Sequence, residues 1–265
     1  MTSSALHVEA SGEGPAVLLL HSSGLSGRQF RRLVPELARR GLRVVVPDLS
    51  GHGASTAWPS PEPFSFRTDV ARVVELLNAE GGAHVVGHSY GGLLALHAAL
   101  AQPASIRSLT LYEPVAFGVL DRPEDADARA TLEAVGESWG VTAEENEAWL
   151  RRFVDYWGGA GAWRSLREEA RAEFRRIGWV VREGVRTLME DTTRSQAFAA
   201  LSVPTRLFFG ELSPIASRRV AERLAEVIGG ARLHAVAGVG HLGPVARADI
   251  VNPLLLEGLF RDLAP

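Results

Sequence analysis

The chain has 265 residues, 46% of them hydrophobic and 22% charged, with a formal net charge of -3. That is a globular composition, long enough for one large buried core, and it has no basic excess to neutralise the phosphates of a nucleic acid. Cysteine is absent, and all 28 Lys+Arg residues are Arg, which excludes disulfides, thiolate metal sites, cysteine nucleophiles and lysine-based covalent chemistry.

In chain order, the first predicted strand is the apolar run 16–20, followed by a Ser/Gly loop and a helical pattern over 29–40. Strand 43–46, helix 67–80, strand 84–86, helix 91–101 and strand 108–112 continue the alternation. After a break it resumes with strand 205–209, helix 217–228, strand 232–236 and helix 250–263. Most of these strands are continuous apolar runs, the pattern of strands buried on both faces of a parallel sheet. Strand–helix alternation predicts a doubly wound, mostly parallel α/β sheet, with ligands beyond the carboxyl ends of the strands.

The break, residues 116–200, contains no convincing strand. Thr142 and Glu145 form a capping-box pattern opening a helix over 142–157, and Trp149, Phe153, Tyr156 and Trp157 recur along it at helical spacing. Trp163, Leu166, Ala170, Phe174 and Ile177 make a second stripe. The organisation expected is a core domain of residues 1–115 and 201–265 with a helical lid, 116–200, inserted between two strands. Five of the six Trp lie in the lid, at 139, 149, 157, 163 and 179; aromatics so spaced usually form a core. No run reaches the about eighteen apolar residues of a membrane span, and an unprocessed, cytoplasmic protein with no membrane partner is expected. Oligomeric state is not readable from the sequence.

Chemistry concentrates in the loops after strands. Gly87-His88-Ser89-Tyr90-Gly91 lies between strand 84–86 and helix 91–101. Here a serine on a sharp strand-to-helix turn projects its hydroxyl, and glycines on both sides avoid backbone clashes. Ser89 is the candidate nucleophile, and the backbone N–H of Tyr90, next in the chain, is the first candidate oxyanion donor. Among eight histidines, His241 stands in the Gly-rich loop before the last helix and is the candidate base; His88 reads as structural. No metal-ligand spacing such as HxH or HExxH occurs, so no metal and no cofactor is implied.

With these motifs the chain resembles the α/β-hydrolase superfamily, in its lidded esterase-like branch. His21-Ser22-Ser23-Gly24 resembles the family's oxyanion loop, which implies Ser23 N–H as the second donor. Residues 47–55, with Asp48, Gly51, Gly53 and Ser55, resemble its DxxGxGxS turn, structural in the family, and Gly240-His241 resembles its histidine loop. The family's usual acid position, in a GxxD pattern after strand 205–209, is here Ser213. That serine reads as an N-cap with Pro214 following it. Some family members, haloalkane dehalogenases among them, carry the acid one strand earlier, where this chain has Glu113; Glu211 is the alternative. The function expected is a serine hydrolase acting on an ester of a small or medium carboxylic acid. C–C hydrolase, thioesterase, lactonase and perhydrolase activities would use the same residues, and the missing Asp at 213 leaves a non-catalytic binding module as the rival class.

Overall fold

The computed structural model describes residues 6–59, 62–136 and 142–263. Its sheet has seven strands among these residues: β1 (Val8–Ser11), β2 (Ala16–Leu20), β3 (Arg43–Pro47), β4 (Ala83–His88), β5 (Ile106–Tyr112), β6 (Thr205–Gly210) and β7 (Arg232–Val236). Their spatial order is β1-β3-β2-β4-β5-β6-β7. β1 pairs antiparallel with β3, and every other pairing is parallel. β1 was not predicted: all four of its residues are exposed, so it carries no apolar run to read and is held by its backbone ladder.

Helices α1 (Leu33–Arg39), α2 (Phe66–Ala79) and α3 (Tyr90–Ala101) belong to the first half of the sheet. α1 begins later than the apolar pattern suggested, because Gly27–Phe30 winds as a 3-10 turn. Between β5 and β6 the described residues hold only helices and turns: α4 (Ala126–Gly136), α5 (Ala143–Gly158), α6 (Ala162–Ser165) and α7 (Glu168–Met189). α8 (Ile215–Val227), α9 (Gly243–Ala246) and α10 (Ala248–Leu263) complete the chain.

Alternate residues of the buried strands point to opposite faces. Leu18, Leu20, Val85, Leu109, Leu111 and Leu207 pack with residues of α2, α3 and α8, in a cluster continuous with the insertion's Trp149, Leu150, Ile177 and Val181. Val17, Leu19, Val44, Val86, Tyr112 and Phe208 pack with residues of α1 and α10. Each fully buried Leu or Val contributes about 1.5–3 kcal/mol by leaving water, which explains why these strands are apolar throughout.

The insertion is pinned at both ends. Asp125, at its start, is fully buried and ion-paired with Arg219 and Arg223 of α8. Asp191, just past α7, meets Arg67 of α2 and His97 of α3. The capping box of α5 forms, with Glu145 N–H donating to Thr142 Oγ1 at 3.2 Å and Thr142 N–H to Glu145 Oε2 at 2.9 Å. The second predicted stripe is split, with Trp163 on α6 and Phe174 and Ile177 on α7. Trp139 lies outside the described residues.

Candidate active site

The turn from β4 into α3 is set by the absence of side chains. A Cβ at Gly91 would lie 2.1 Å from the carbonyl oxygen of Leu20 in β2, and one at Gly87 would lie 2.8 Å from that of Gly91. Between them Ser89 takes φ 55° and ψ -113°, a conformation that costs a side-chain-bearing residue about 1–3 kcal/mol. Its N–H donates to Tyr112 O at 2.9 Å, continuing the β4–β5 ladder past the end of β4. The Tyr90 hydroxyl donates to Asp69 Oδ2 at 3.0 Å. Burial pushes the Asp69 carboxyl up from its ordinary range, against the hydrogen bonds of Ser50 and Tyr90. The backbone at the start of α3 is thereby fixed from below.

Glu113 occupies the corresponding place one strand along. It also has positive φ, 48°, and its N–H donates to Phe208 O of β6 at 2.9 Å. Its carboxylate is fully buried and meets three donors. Oε1 accepts from Gly210 N–H at 2.7 Å and from the Ser213 hydroxyl, while Oε2 faces His241 Nδ1 at 2.7 Å. The other imidazole nitrogen, Nε2, lies 2.9 Å from Ser89 Oγ. A carboxylate only accepts, so Nδ1 carries the proton and Nε2 is free to accept the Ser89 hydroxyl. Ser89, His241 and Glu113 thus form one hydrogen-bonded chain, at most 5% exposed at any member. Glu211 is exposed on the next loop and is not brought to His241.

Ser213 is not the helix cap its sequence context suggested. The N-cap position of α8 is Pro214, with no side-chain cap, and the Ser213 hydroxyl is spent on Glu113. The residue standing where the family's acid is usual therefore holds the Glu113 carboxylate at the end of the neighbouring strand. Sequence reasoning missed this role, and the signal was the pairing of an unusual Ser at one strand end with a Glu at the next.

The loop after β2 is clamped by two histidines. His21 Nδ1–H donates to Ser22 O at 2.8 Å and its Nε2 accepts from Leu49 N–H at 2.9 Å. His52 mirrors it, donating to Ser50 O and accepting from Gly24 N–H at 3.1 Å. Both act as acceptors, so both are neutral. Burial, aided by His52, pushes His21 down to about 3, and burial lowers His52 as well. Asp48 accepts from Gly27 N–H and Ala54 N–H, so it organises the turn of residues 47–55. His88, held well below its ordinary value by burial and by His241, stays neutral and donates Nε2–H to His241 O at 2.9 Å.

These elements meet at a cavity of about 180 Å³. Ser22, Ser23, Ser89, Tyr90 and His241 supply its polar lining; the insertion closes it with Leu132, Phe153, Val154, Trp157, Phe174, Val185 and Leu188. Among the described residues no Asp, Glu or Arg lines it. Trp149 and Trp157, on the same helix, both belong to the core cluster, and of the two Trp157 also faces the cavity. Among the described residues no cluster of His, Asp or Glu is arranged to hold a metal ion. No helix among them is long and apolar enough to cross a membrane.

Residues 17–254 match the model of the alpha/beta hydrolase family. The chain belongs to that family. A pimeloyl-[acyl-carrier protein] methyl ester esterase of Chromobacterium violaceum is 36% identical over 235 residues, covering 84% of this chain and 87% of that one. The Xanthomonas campestris protein of the same name is 33% identical over 98% of this chain and 99% of its own. Among solved structures, a hydrolase from Pseudomonas aeruginosa superposes with a TM-score of 0.73 at 26% identity, covering 96% of this chain and 94% of that one. A meta-cleavage product hydrolase, at 24% identity and a TM-score of 0.72 over 97% and 94% of the two chains, shares the fold.

Proposed function

We propose that this alpha/beta hydrolase is a serine esterase working through an acyl-enzyme. The observation that carries the reading is the unbroken Ser89–His241–Glu113 hydrogen-bond chain on the floor of an uncharged cavity. In this reading Ser89 Oγ attacks the ester carbonyl while His241 Nε2 takes its proton. The backbone N–H groups of Ser23 and Tyr90 receive the developing oxyanion. His241 then returns the proton to the leaving alkoxide as the C–O bond breaks, and water, activated by the same nitrogen, deacylates Ser89. Glu113 fixes the Nδ1–H tautomer and offsets the imidazolium charge. The identities to esterases named for methyl esters support an ester with a small alcohol.

The cavity also bounds the substrate. A dry space of about 150 Å³ holds a benzene ring, so 180 Å³ suits an acyl group of about six to eight non-hydrogen atoms. With no cation among the described lining residues, a free carboxylate inside it would be buried unpaired, which is costly. A panel of p-nitrophenyl and methyl esters of rising acyl length, with a thioester and a lactone beside them, tests the reading. Ester turnover abolished by Ser89→Ala is expected. A fluorophosphonate that fails to label the wild-type protein would return it to the binding-module class.

A further inference from the structure

The insertion touches the base itself. The Trp157 ring lies over His241, with centroids 4.2 Å apart and planes tilted by 35°. The indole is held in place: Phe117 lies parallel to it at 6.2 Å, the Tyr156 ring meets it edge-on at 4.7 Å, and it is 8% exposed. The next residue, Gly158, is close enough to the histidine loop that a Cβ there would sit 3.3 Å from Leu242 Cδ1. The C-terminal end of α5 is therefore seated on the loop that carries the base.

The other groups facing His241 are few. Glu113 takes Nδ1 from the end of β5, and Ser89 meets Nε2 from the end of β4. The His88 ring lies at 5.1 Å and is bonded to the His241 carbonyl. Tyr112 donates its hydroxyl to Gly240 O, one residue before the base. Glu113 is the one full negative charge among them, and it acts at the ring edge. When the proton passes from Ser89 Oγ to Nε2 as the Oγ–carbon bond forms, the new cation's face is met by an aromatic π cloud instead of water. A cation within about 6 Å of an indole face is attracted to it, most strongly where water is excluded.

We propose that Trp157 is a positioning residue for catalysis: its indole stabilises the imidazolium form of His241, so that the strength of the base depends on the insertion being seated. The inference rests on the assignment of His241 as base. A residue that merely walls the cavity would change KM and leave the base alone, which sets the test.

Trp157→Phe keeps a weaker π face, and Trp157→Leu keeps an apolar filler with none. The rate of Ser89 inactivation by a fluorophosphonate is measured against pH for the wild type and both variants, with circular dichroism to establish folding. Histidine NMR follows the His241 titration without any turnover. Expected for Trp157→Leu are an about three- to tenfold slower inactivation at pH 8 and an acid limb moved about half to one pH unit lower, since a less stable cation gives up its proton more readily. Trp157→Phe should fall between, which keeps the test decisive if the Leu variant does not fold. An acid limb and an NMR titration unmoved, with only ester KM altered, would overturn the proposal. So would a limb moved upward, because water would then serve the cation better than the indole. Failure of the wild type to react at all would instead strike the esterase reading on which the inference stands.

Discussion

Glu113→Gln probes the proposed role of Glu113 as acid most directly, because the geometry leaves an amide no good solution. Oε1 accepts two donors, Gly210 N–H and the Ser213 hydroxyl, and Oε2 accepts His241 Nδ1–H. If the Gln oxygen stays with Gly210 and Ser213, its NH2 group faces Nδ1, which must become an acceptor. The imidazole then carries its proton on Nε2 and cannot take one from Ser89. If the amide is reversed, NH2 faces Gly210 N–H inside a fully buried site, leaving a donor unsatisfied at about 1–3 kcal/mol. The first arrangement avoids that cost, so the wrong tautomer wins. A triad acid changed to its amide loses about ten-thousand-fold in turnover by this route. The assay is kcat for p-nitrophenyl butyrate at pH 8, with thermal unfolding as the check on folding. Glu211→Gln, at an exposed position, serves as the control and is expected to stay within about twofold of wild type. A folded Glu113→Gln enzyme keeping more than about a tenth of wild-type kcat would refute the argument, and loss in Glu211→Gln alone would reassign the acid.

Ser213→Ala removes one of the two donors on Glu113 Oε1; a hydrogen bond to a charged group contributes about 1.5–3 kcal/mol, discounted here because Ser213 is only partly buried, so an about tenfold fall in kcat with little change in KM is expected. An unchanged kcat would show that Gly210 N–H suffices to hold the carboxylate. Stability should fall with acid: the unfolded chain protonates His21 near its ordinary 6.5, whereas the folded chain resists until about 3. Between these values the unfolded state binds more protons, so His21 alone removes about 3 kcal/mol on going from pH 7 to pH 4. Urea unfolding at the two pH values checks it, and a His21→Asn protein with the same pH slope would contradict it.

How much of this was legible in the sequence differs by the kind of signal. The elbow at residues 87–91 could be read because its steric demand is local: the clash at Gly91 is with the backbone of β2, and a Gly-x-Ser-x-Gly run after a strand states that demand. The parallel sheet was legible because strands buried on both faces are apolar throughout, and β1 escaped because it is exposed throughout. Ser89, His241 and Glu113 could be singled out one by one, and the structure places them in hydrogen-bond reach. The Ser213–Glu113 bond joins residues far apart in the chain, and nothing local announces it; the local pattern, Ser before Pro, pointed to a cap that does not form. Trp149 and Trp157 share one helical stripe and both pack in the core, yet Trp157 alone of the two also lines the cavity and lies over His241. Helical spacing places both on the same face but does not say where the cavity begins along the helix. The histidine clamps of His21 and His52 were likewise hidden, because each bridges two loops that only the sheet order brings together.

Ser89 and Glu113 are the two non-glycine residues with positive φ among those described, and they sit at the same place on neighbouring strands. Each extends a parallel ladder by one N–H and then turns its side chain across the top of the sheet toward His241. A relaxed extended backbone would carry both side chains onward with the strand direction, so the strain is what points the Ser89 hydroxyl and the Glu113 carboxylate at one imidazole. That gives a test free of activity. Ser89→Ala and Ser89→Gly both delete the hydroxyl and its bond to Nε2, and differ only by a Cβ. Glycine escapes a strain of about 1–3 kcal/mol at this φ, while its looser unfolded chain costs about 0.4–1 kcal/mol. Ser89→Gly should therefore be the more stable of two inactive proteins by about 1 kcal/mol, read from urea midpoints at constant m. If Ser89→Ala proves equally or more stable, the turn at residue 89 is relaxed in solution, and strain is not what aims the serine.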